Sequence, residues 1–200
     1  DPGYLDPWTC ATIQTAGDPF TFQSKSGSSN CLDSPPGNYV DTSAATSPTP
    51  CSAGTYNPDS GSSSPDACIQ SDPGNSVPAD GSSFHTPCTL GHYQPSSGQV
   101  SCLEADAGHY VAVYGANSQT TCGLGTYNPD TAQSSCIDAS PGHYVDAPAS
   151  TSQAACSAGT YNPSTGSSSA ADCMPSEPGH YVPMAGADEQ IPCAAGSYQP

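Results

Sequence analysis

Eleven cysteines are the residues of this chain best placed to do chemistry: Cys10, Cys31, Cys51, Cys68, Cys88, Cys102, Cys122, Cys136, Cys156, Cys173 and Cys193. In a polar chain with little apolar content, cysteines at regular spacings signal disulfides and an oxidising compartment. Their gaps run 21, 20, 17, 20, 14, 20, 14, 20, 17 and 20 residues. From Cys31 onward every second gap is 20, with 14 or 17 between, so the cysteine period is 34 to 37 residues. Periods of that size mark tandem repeat arrays.

Each period holds two related halves. One reads CSAGTYNP from Cys51, CTLGHYQP from Cys88, CGLGTYNP from Cys122, CSAGTYNP from Cys156 and CAAGSYQP from Cys193. The other reads CLDSPPGNYV from Cys31, CIQSDPGNSV from Cys68, CLEADAGHYV from Cys102, CIDASPGHYV from Cys136 and CMPSEPGHYV from Cys173. Both carry Gly-x-Tyr, and the glycine steps from Gly91 to Gly108, Gly125, Gly142 and Gly159 in increments of 17, so the structural unit is 17 residues and each cysteine period is two units.

Three residues before the glycine, the first half has its cysteine and the second has Ser34, Ser71, Ala105, Ala139 or Ser176. Gln153 lies as far beyond Ala139 as Cys136 lies beyond Cys122, so the second half resembles a unit whose own disulfide is absent. Local pairing follows: Cys10 with Cys31, Cys51 with Cys68, Cys88 with Cys102, Cys122 with Cys136 and Cys156 with Cys173. Cys193 then expects a partner downstream of Pro200. The rival scheme pairs across the 20-residue gaps, starting at Cys31 with Cys51, and stays open; the local scheme accounts for the absent cysteines and the odd count together. Closing such a loop is worth about 3 kcal/mol, large against the apolar area a unit of this size can bury.

Other chemistry is thinner. His92, His109, His143 and His180 sit inside Gly-His-Tyr, where a ladder of metal ligands is conceivable, but the aligned residues Asn38, Thr55, Asn75, Thr126, Thr160 and Ser197 point to an exposed turn. No metal site is expected. Asp33, Asp59, Glu104, Asp106, Asp130 and Asp138 offer the hard oxygens that calcium needs, yet no EF-hand-like or RTX-like spacing is present, and solubility is the simpler role. No nucleophile–base frame or phosphate loop stands out, and a unit this small offers no deep pocket, so catalysis and a cofactor are not expected. O-linked glycans suit Ser47, Thr49, Ser62, Ser63, Ser64, Ser167, Ser168 and Ser169, which lie in Ser-rich stretches.

The elements that must position these residues are short. Glycine in Gly-x-Tyr supplies a positive φ or a close approach, Tyr with the next residue suits an extended segment, and Asn-Pro or Gln-Pro reads as a turn. Packing roles fall to Gly54 with Tyr56, Gly91 with Tyr93, Gly108 with Tyr110, Gly125 with Tyr127, Gly142 with Tyr144, Gly159 with Tyr161, Gly179 with Tyr181 and Gly196 with Tyr198. Tyr39 belongs to the same series, and Ser76 interrupts it. Each ring is expected either to stack on a neighbouring unit's glycine or proline, or to cover its own disulfide.

Near the start, Phe20 and Phe22 stand in place of Gly-x-Tyr and Trp8 precedes them, as in an eroded unit or a cap. The divisions are 1–50 as divergent first repeats or cap, repeats at 51–87, 88–121, 122–155 and 156–192, and the start of another at 193–200. The fold class is small, disulfide-rich and β/irregular: an elongated, solenoid-like tandem repeat rod of short strands and turns, with no helices of note.

Composition agrees with this and excludes other classes. Leu, Ile, Val and Phe make up 19 of 200 residues, against the roughly one fifth below which a highly charged chain stops forming a globular core. Lys25 is the single basic residue against 18 acids, giving a formal net charge of -17. Nucleic acid and anionic membranes both need Lys and Arg, and no stretch is apolar enough to span a bilayer, so neither is an expected partner.

The pattern Cys-x-x-Gly-Thr-Tyr, a Ser/Gly-rich loop and a second Cys resembles the ephrin-receptor-like cysteine-rich repeats, akin to tumour necrosis factor receptor modules, including degenerate arrays in long microbial surface proteins. The family joins units through Cys-x-x-Cys; here each such pair keeps one member, as in Cys136 with Ala139 or Gln153 with Cys156. The resemblance implies an elongated extracellular rod with nothing catalytic. The expected function is a filament, stalk or surface fibre that self-associates or continues into a longer assembly. The alternative is a receptor ectodomain or adhesin binding protein or glycan, with Phe84, His85, Val113, Tyr114 and Met184 as the departures from the repeat.

Overall fold

The computed structural model describes residues 21–22 and 31–198. Cys10, Trp8 and Phe20 lie outside the described residues. Within them the chain is built from ten two-stranded antiparallel hairpins, each strand two residues long, with two single-turn 3-10 helices at Pro65–Ala67 and Ala170–Asp172. The hairpins do not join into larger sheets or a barrel. The chain divides into two compact units. The first comprises the described residues up to Cys88 with Gln94–Cys102 and Gly115–Asn117; the second comprises Thr89–Tyr93, Leu103–Tyr114 and the described residues from Ser118 onward.

Every hairpin follows one plan. Its first strand is the x-Tyr of Gly-x-Tyr, as in Thr126–Tyr127, and its second lies just after the staple position, as in Ile137–Asp138. Tyr127 faces Ile137 and Thr126 faces Asp138. The same register pairs Tyr39 with Thr49, Tyr56 with Ile69, Tyr93 with Leu103 and Tyr161 with Met174. Phe22 pairs with Leu32, so its backbone takes the tyrosine register, while Ser76 takes that place opposite Thr86.

A two-residue ladder cannot stand alone in water, so the hairpins must hold one another. In the first unit the N–H groups of Gly37, Gly54 and Gly74 donate to the carbonyls of Asn57, Val77 and Gln94, at 2.7–2.8 Å. In the second, Gly91, Gly108, Gly125, Gly142 and Gly159 donate to Val111, Asn128, Val145, Asn162 and Val182, at 2.7–2.9 Å. In every case the acceptor follows the tyrosine position of the next hairpin.

A further contact skips a hairpin. A Cβ built on Gly108, whose φ is +78°, would lie 2.2 Å from the Ala149 carbonyl oxygen, in the loop two hairpins on. The glycine thus serves both a positive φ and a backbone approach that any side chain would block. A Cβ on Gly37, Gly54, Gly74, Gly91, Gly125 or Gly142 would collide with the equivalent loop oxygen in the same way.

In each unit the core is made of small buried groups. Directly after the tyrosine come Val40, Val77, Val111, Val145 and Val182, alternating with Asn57, Gln94, Asn128 and Asn162, all buried. Beside them lie Cys51, Cys88, Cys122 and Cys156, alternating with Ser34, Ser71, Ala105 and Ala139.

Glycine substitutions separate the two demands. Gly166 has φ +68° and a Cβ there would meet nothing nearer than 3.9 Å, so Gly166→Ala should cost only the left-handed backbone, about 1–2 kcal/mol. Gly108→Ala should cost distinctly more, seen as a larger drop in the urea unfolding midpoint. Equal losses would show that the loop contact contributes nothing.

Candidate functional site

The structure brings four pairs of cysteines together as disulfides: Cys51–Cys68, Cys88–Cys102, Cys122–Cys136 and Cys156–Cys173. Their Cα atoms stand 5.5–5.8 Å apart, within the normal span. Cys31 is also disulfide-bonded, and Cys10 lies outside the described residues. Cys193 is a free, half-buried thiol. Each of the four bridges ties the residue three before a hairpin's glycine to the residue just before its second strand.

Two of the bridges enclose 17-residue separations and two enclose 14. The longer loops are the ones that contain the 3-10 helices, each three residues long. Three residues make one 3-10 turn, so the insertion adds a whole turn and returns the chain to register. Ser64 and Ser169 cap these turns, accepting from the N–H groups of Asp66 and Ala171 at 3.1 Å.

Alternate hairpins close by hydrogen bonds where the others have sulfur. Ala139 is buried as Cys122 is, and its N–H bonds the Gly125 carbonyl as that of Cys122 bonds Gly108. At the partner position Gln153 Oε1 accepts from the Ser140 N–H at 2.7 Å. Gln119 does the same to Asp106 N–H, adding its own donation to the Asp106 carboxylate at 2.7 Å, and Gln190 to Glu177 N–H at 2.8 Å. In the hairpin carrying Ser76, the two positions are Ser71 and His85; Ser71 Oγ and His85 Nδ1 are buried without hydrogen-bond partners, and the His85 ring meets Tyr56 edge-on at 5.1 Å.

The buried Asn/Gln column was not legible from the sequence, where Asn-Pro reads only as a turn. Asn128 Nδ2 donates to the His109 carbonyl of the preceding hairpin at 2.9 Å and to the Ser135 carbonyl of its own loop at 3.1 Å. Asn57 and Asn162 repeat the first bond to Asn38 and His143 and donate also to Ser62 and Ser167 Oγ. Gln94 reaches the Ser101 carbonyl. These amides occur only in the stapled hairpins; valine fills the same place in the others. The alternation Asn/Gln against Val, three residues after each glycine, is the signal that marks them.

The x position of Gly-x-Tyr has a local task. His92, His109 and His143 approach through Nδ1 the carbonyl two residues earlier, at 3.0–3.3 Å, so that nitrogen carries the proton. Asn38 and Asn75 donate to equivalent carbonyls, and Thr55, Thr126, Thr160 and Ser197 to the carbonyl three residues earlier. Any short donor closes this turn, which is why the residue varies; His180 Nδ1 is buried without a partner. Among the described residues no three His, Cys, Asp or Glu side chains gather in a way that could hold a metal ion.

The space over each packed glycine is filled by loop backbone, not by a tyrosine ring. Each ring stands instead across from the first residue of the second strand, next to the staple position. An open, mainly polar concavity of about 400 Å³ lies beside Asn162, Ser168, Asp172 and Met174. Its carboxylate, Asp172, already accepts from the N–H groups of Ser168 and Ser169 at 3.0 Å.

The repeated closure of small hairpins by sulfur at fixed positions has a counterpart among known modules. Residues 74–122 match the family model described as tyrosine-protein kinase ephrin type A/B receptor-like. That stretch holds the Cys88–Cys102 bridge, and with the four disulfides the match supports a cysteine-rich ephrin-receptor-like repeat. No curated protein matches the chain. Among the described residues no helix is long and apolar enough to cross a membrane.

Two outcomes follow for these side chains. Ala139→Cys with Gln153→Cys should form a new disulfide, read as a joined peptide pair in non-reducing mass spectrometry, and should gain up to about 3 kcal/mol of stability. Two free thiols would show that the hydrogen-bonded closure differs in geometry from the sulfur one. Glycan masses on native material should map to exposed Ser47, Thr49 or Ser168 and avoid Ser62 and Ser167, whose oxygens hold Asn57 and Asn162. A sugar on Ser167 would contradict its burial at 7 % exposure.

Proposed function

We propose that this chain is part of a structural protein of the cell surface or extracellular space, a filament, stalk or fibre whose repeats give reach. The observation that carries this reading is the repeated register: one set of backbone bonds, used hairpin after hairpin in both units, with each packed glycine completed only by a loop two hairpins on. Such stacking is extended by adding copies, in the way of repeat proteins. The disulfides favour an oxidising, extracellular setting. Here the chain carries no catalysis and needs no cofactor, and O-linked sugars on its loops would add resistance to proteolysis.

A second reading, a binding module of a receptor or adhesin, draws on the ephrin-receptor-like match at 74–122 and on large apolar side chains exposed in the loops, Phe84, Val113, Tyr114 and Met184. Negative-stain microscopy of the native full-length protein separates the two. Fibres or stalks are expected. Compact monomers, joined to a glycan or protein ligand whose binding is lost on Phe84→Ser or Tyr114→Ser, would overturn the structural reading in favour of the second.

A further inference from the structure

In the second unit the two-residue ladders carry their acids on one side only. In each two-residue ladder successive side chains point to opposite sides. The side holding Tyr93, Tyr127 and Tyr161 presents Leu103, Ile137 and Met174 across from them, and Tyr181 faces Ile191. The unstapled hairpins between them add Thr120 and Ala154 opposite their tyrosines. No ladder position on that side holds an ionisable acid or base other than the tyrosine phenols. The opposite side carries Glu104 and Asp138, facing His92 and Thr126.

The aliphatic side chains on the tyrosine side are well exposed for their type, Leu103 at 47 %, Ile137 at 45 %, and Met174 and Ile191 at 41 %. In a chain with 19 Leu, Ile, Val and Phe residues and a net charge of -17, repeated placement of such residues in water is costly unless something covers them. The opposite side is engaged by loops two hairpins on: a Cβ on Gly186 would lie 3.3 Å from the His143 ring, and one on Gly166 would lie 3.9 Å from the Asp138 carboxylate.

We propose that this tyrosine–aliphatic side of the ladders in the second unit, free of ladder carboxylates, is where a second copy of the chain packs. The occupant follows from charge. With one Lys against 18 acids, two copies that meet through their acid-bearing ladder sides repel, whereas this side lets them meet while Glu104 and Asp138 point away from the contact. Leu103, Ile137 and Met174 stand at every second hairpin, which gives two copies a common spacing. The inference rests on the structural reading above and assigns its lateral contact.

The test is sedimentation velocity of the full chain over a range of protein concentrations, for the wild type, for Leu103→Asp with Ile137→Asp and Met174→Asp, and for Glu104→Gln with Asp138→Asn. Disulfide maps and circular dichroism confirm that each variant is folded. Concentration-dependent association of the wild type and of the Gln/Asn variant, with at least a tenfold weakening in the Asp variant, is the expected result. If the Asp variant is misfolded, the milder Leu103→Ser with Ile137→Ser takes its place and should weaken association at least threefold. Association unchanged by these substitutions would overturn the face while leaving the fibre reading intact. A wild type that stays monomeric throughout overturns it too, and microscopy of native material then judges the fibre reading by itself. Retention of that monomer on immobilised polysaccharide, lost in the Asp variant, would reassign the face to a sugar.

Discussion

At Gly37, Gly54, Gly74, Gly91, Gly108, Gly125 and Gly142 a backbone oxygen from a loop occupies the place where a side chain would begin. The glycine of Gly-x-Tyr has to adopt a left-handed backbone, donate its N–H to the next hairpin and leave its Cα open to the loop beyond that. Only glycine meets all three demands. Because the ladders are two residues long and bury little, this contact is what makes neighbouring hairpins within a unit mutually dependent, and the rest of the structure is arranged around it. The αL residue of each loop is itself held by its N–H, as when Gly166 bonds the carbonyl of Ala139 or Gly98 that of Ser71.

Closure of the individual hairpin is handled separately, and in two ways. One set uses sulfur and places a buried amide after the tyrosine; the other places valine there and, in the hairpins of Gln119, Gln153 and Gln190, closes through the glutamine side chain. The combinations are coherent. In the stapled hairpin Asn128 satisfies a carbonyl of its own loop and one of the hairpin before, work that a valine cannot do. In the unstapled hairpin the glutamine bond ties the loop to the N–H beyond Ala139 or Ala105, while Val145 or Val111 fills space. A core of this kind is small in volume, so polar groups inside it must be paired almost one by one.

Much of this pattern stands in the order of the residues. The cysteine gaps and the 17-residue glycine steps mark the hairpin, because the same bond set forces the same chain length, and a difference of three is absorbed as one 3-10 turn. The ephrin-receptor-like character is carried by Cys-x-x-Gly and the cysteine that follows the loop. What could not be read is which neighbours touch. A period states that units are alike, not that a loop reaches past one hairpin to the next. The loop αL positions were hidden for a further reason: Ala44, Ala132 and Ala149 take the same φ > 0 conformation as Gly61, Gly81 and Gly98, so no single residue type flags the series. The sequence likewise left two places open for the tyrosine ring, a neighbour's glycine or proline or the ring's own disulfide, and the space over the packed glycines is taken by backbone.

Each of the four disulfides closes within one hairpin, and none links one hairpin's staple to another's. Under a pulling force the load therefore passes through backbone hydrogen bonds between hairpins, while the residues inside each bridge stay out of the load path. Such a chain can yield by separating hairpins and recover by restacking them, with its extension capped by the loops that sulfur keeps out of play. Reduction would release that hidden length, turning a short-travel material into a more extensible one without changing a single residue.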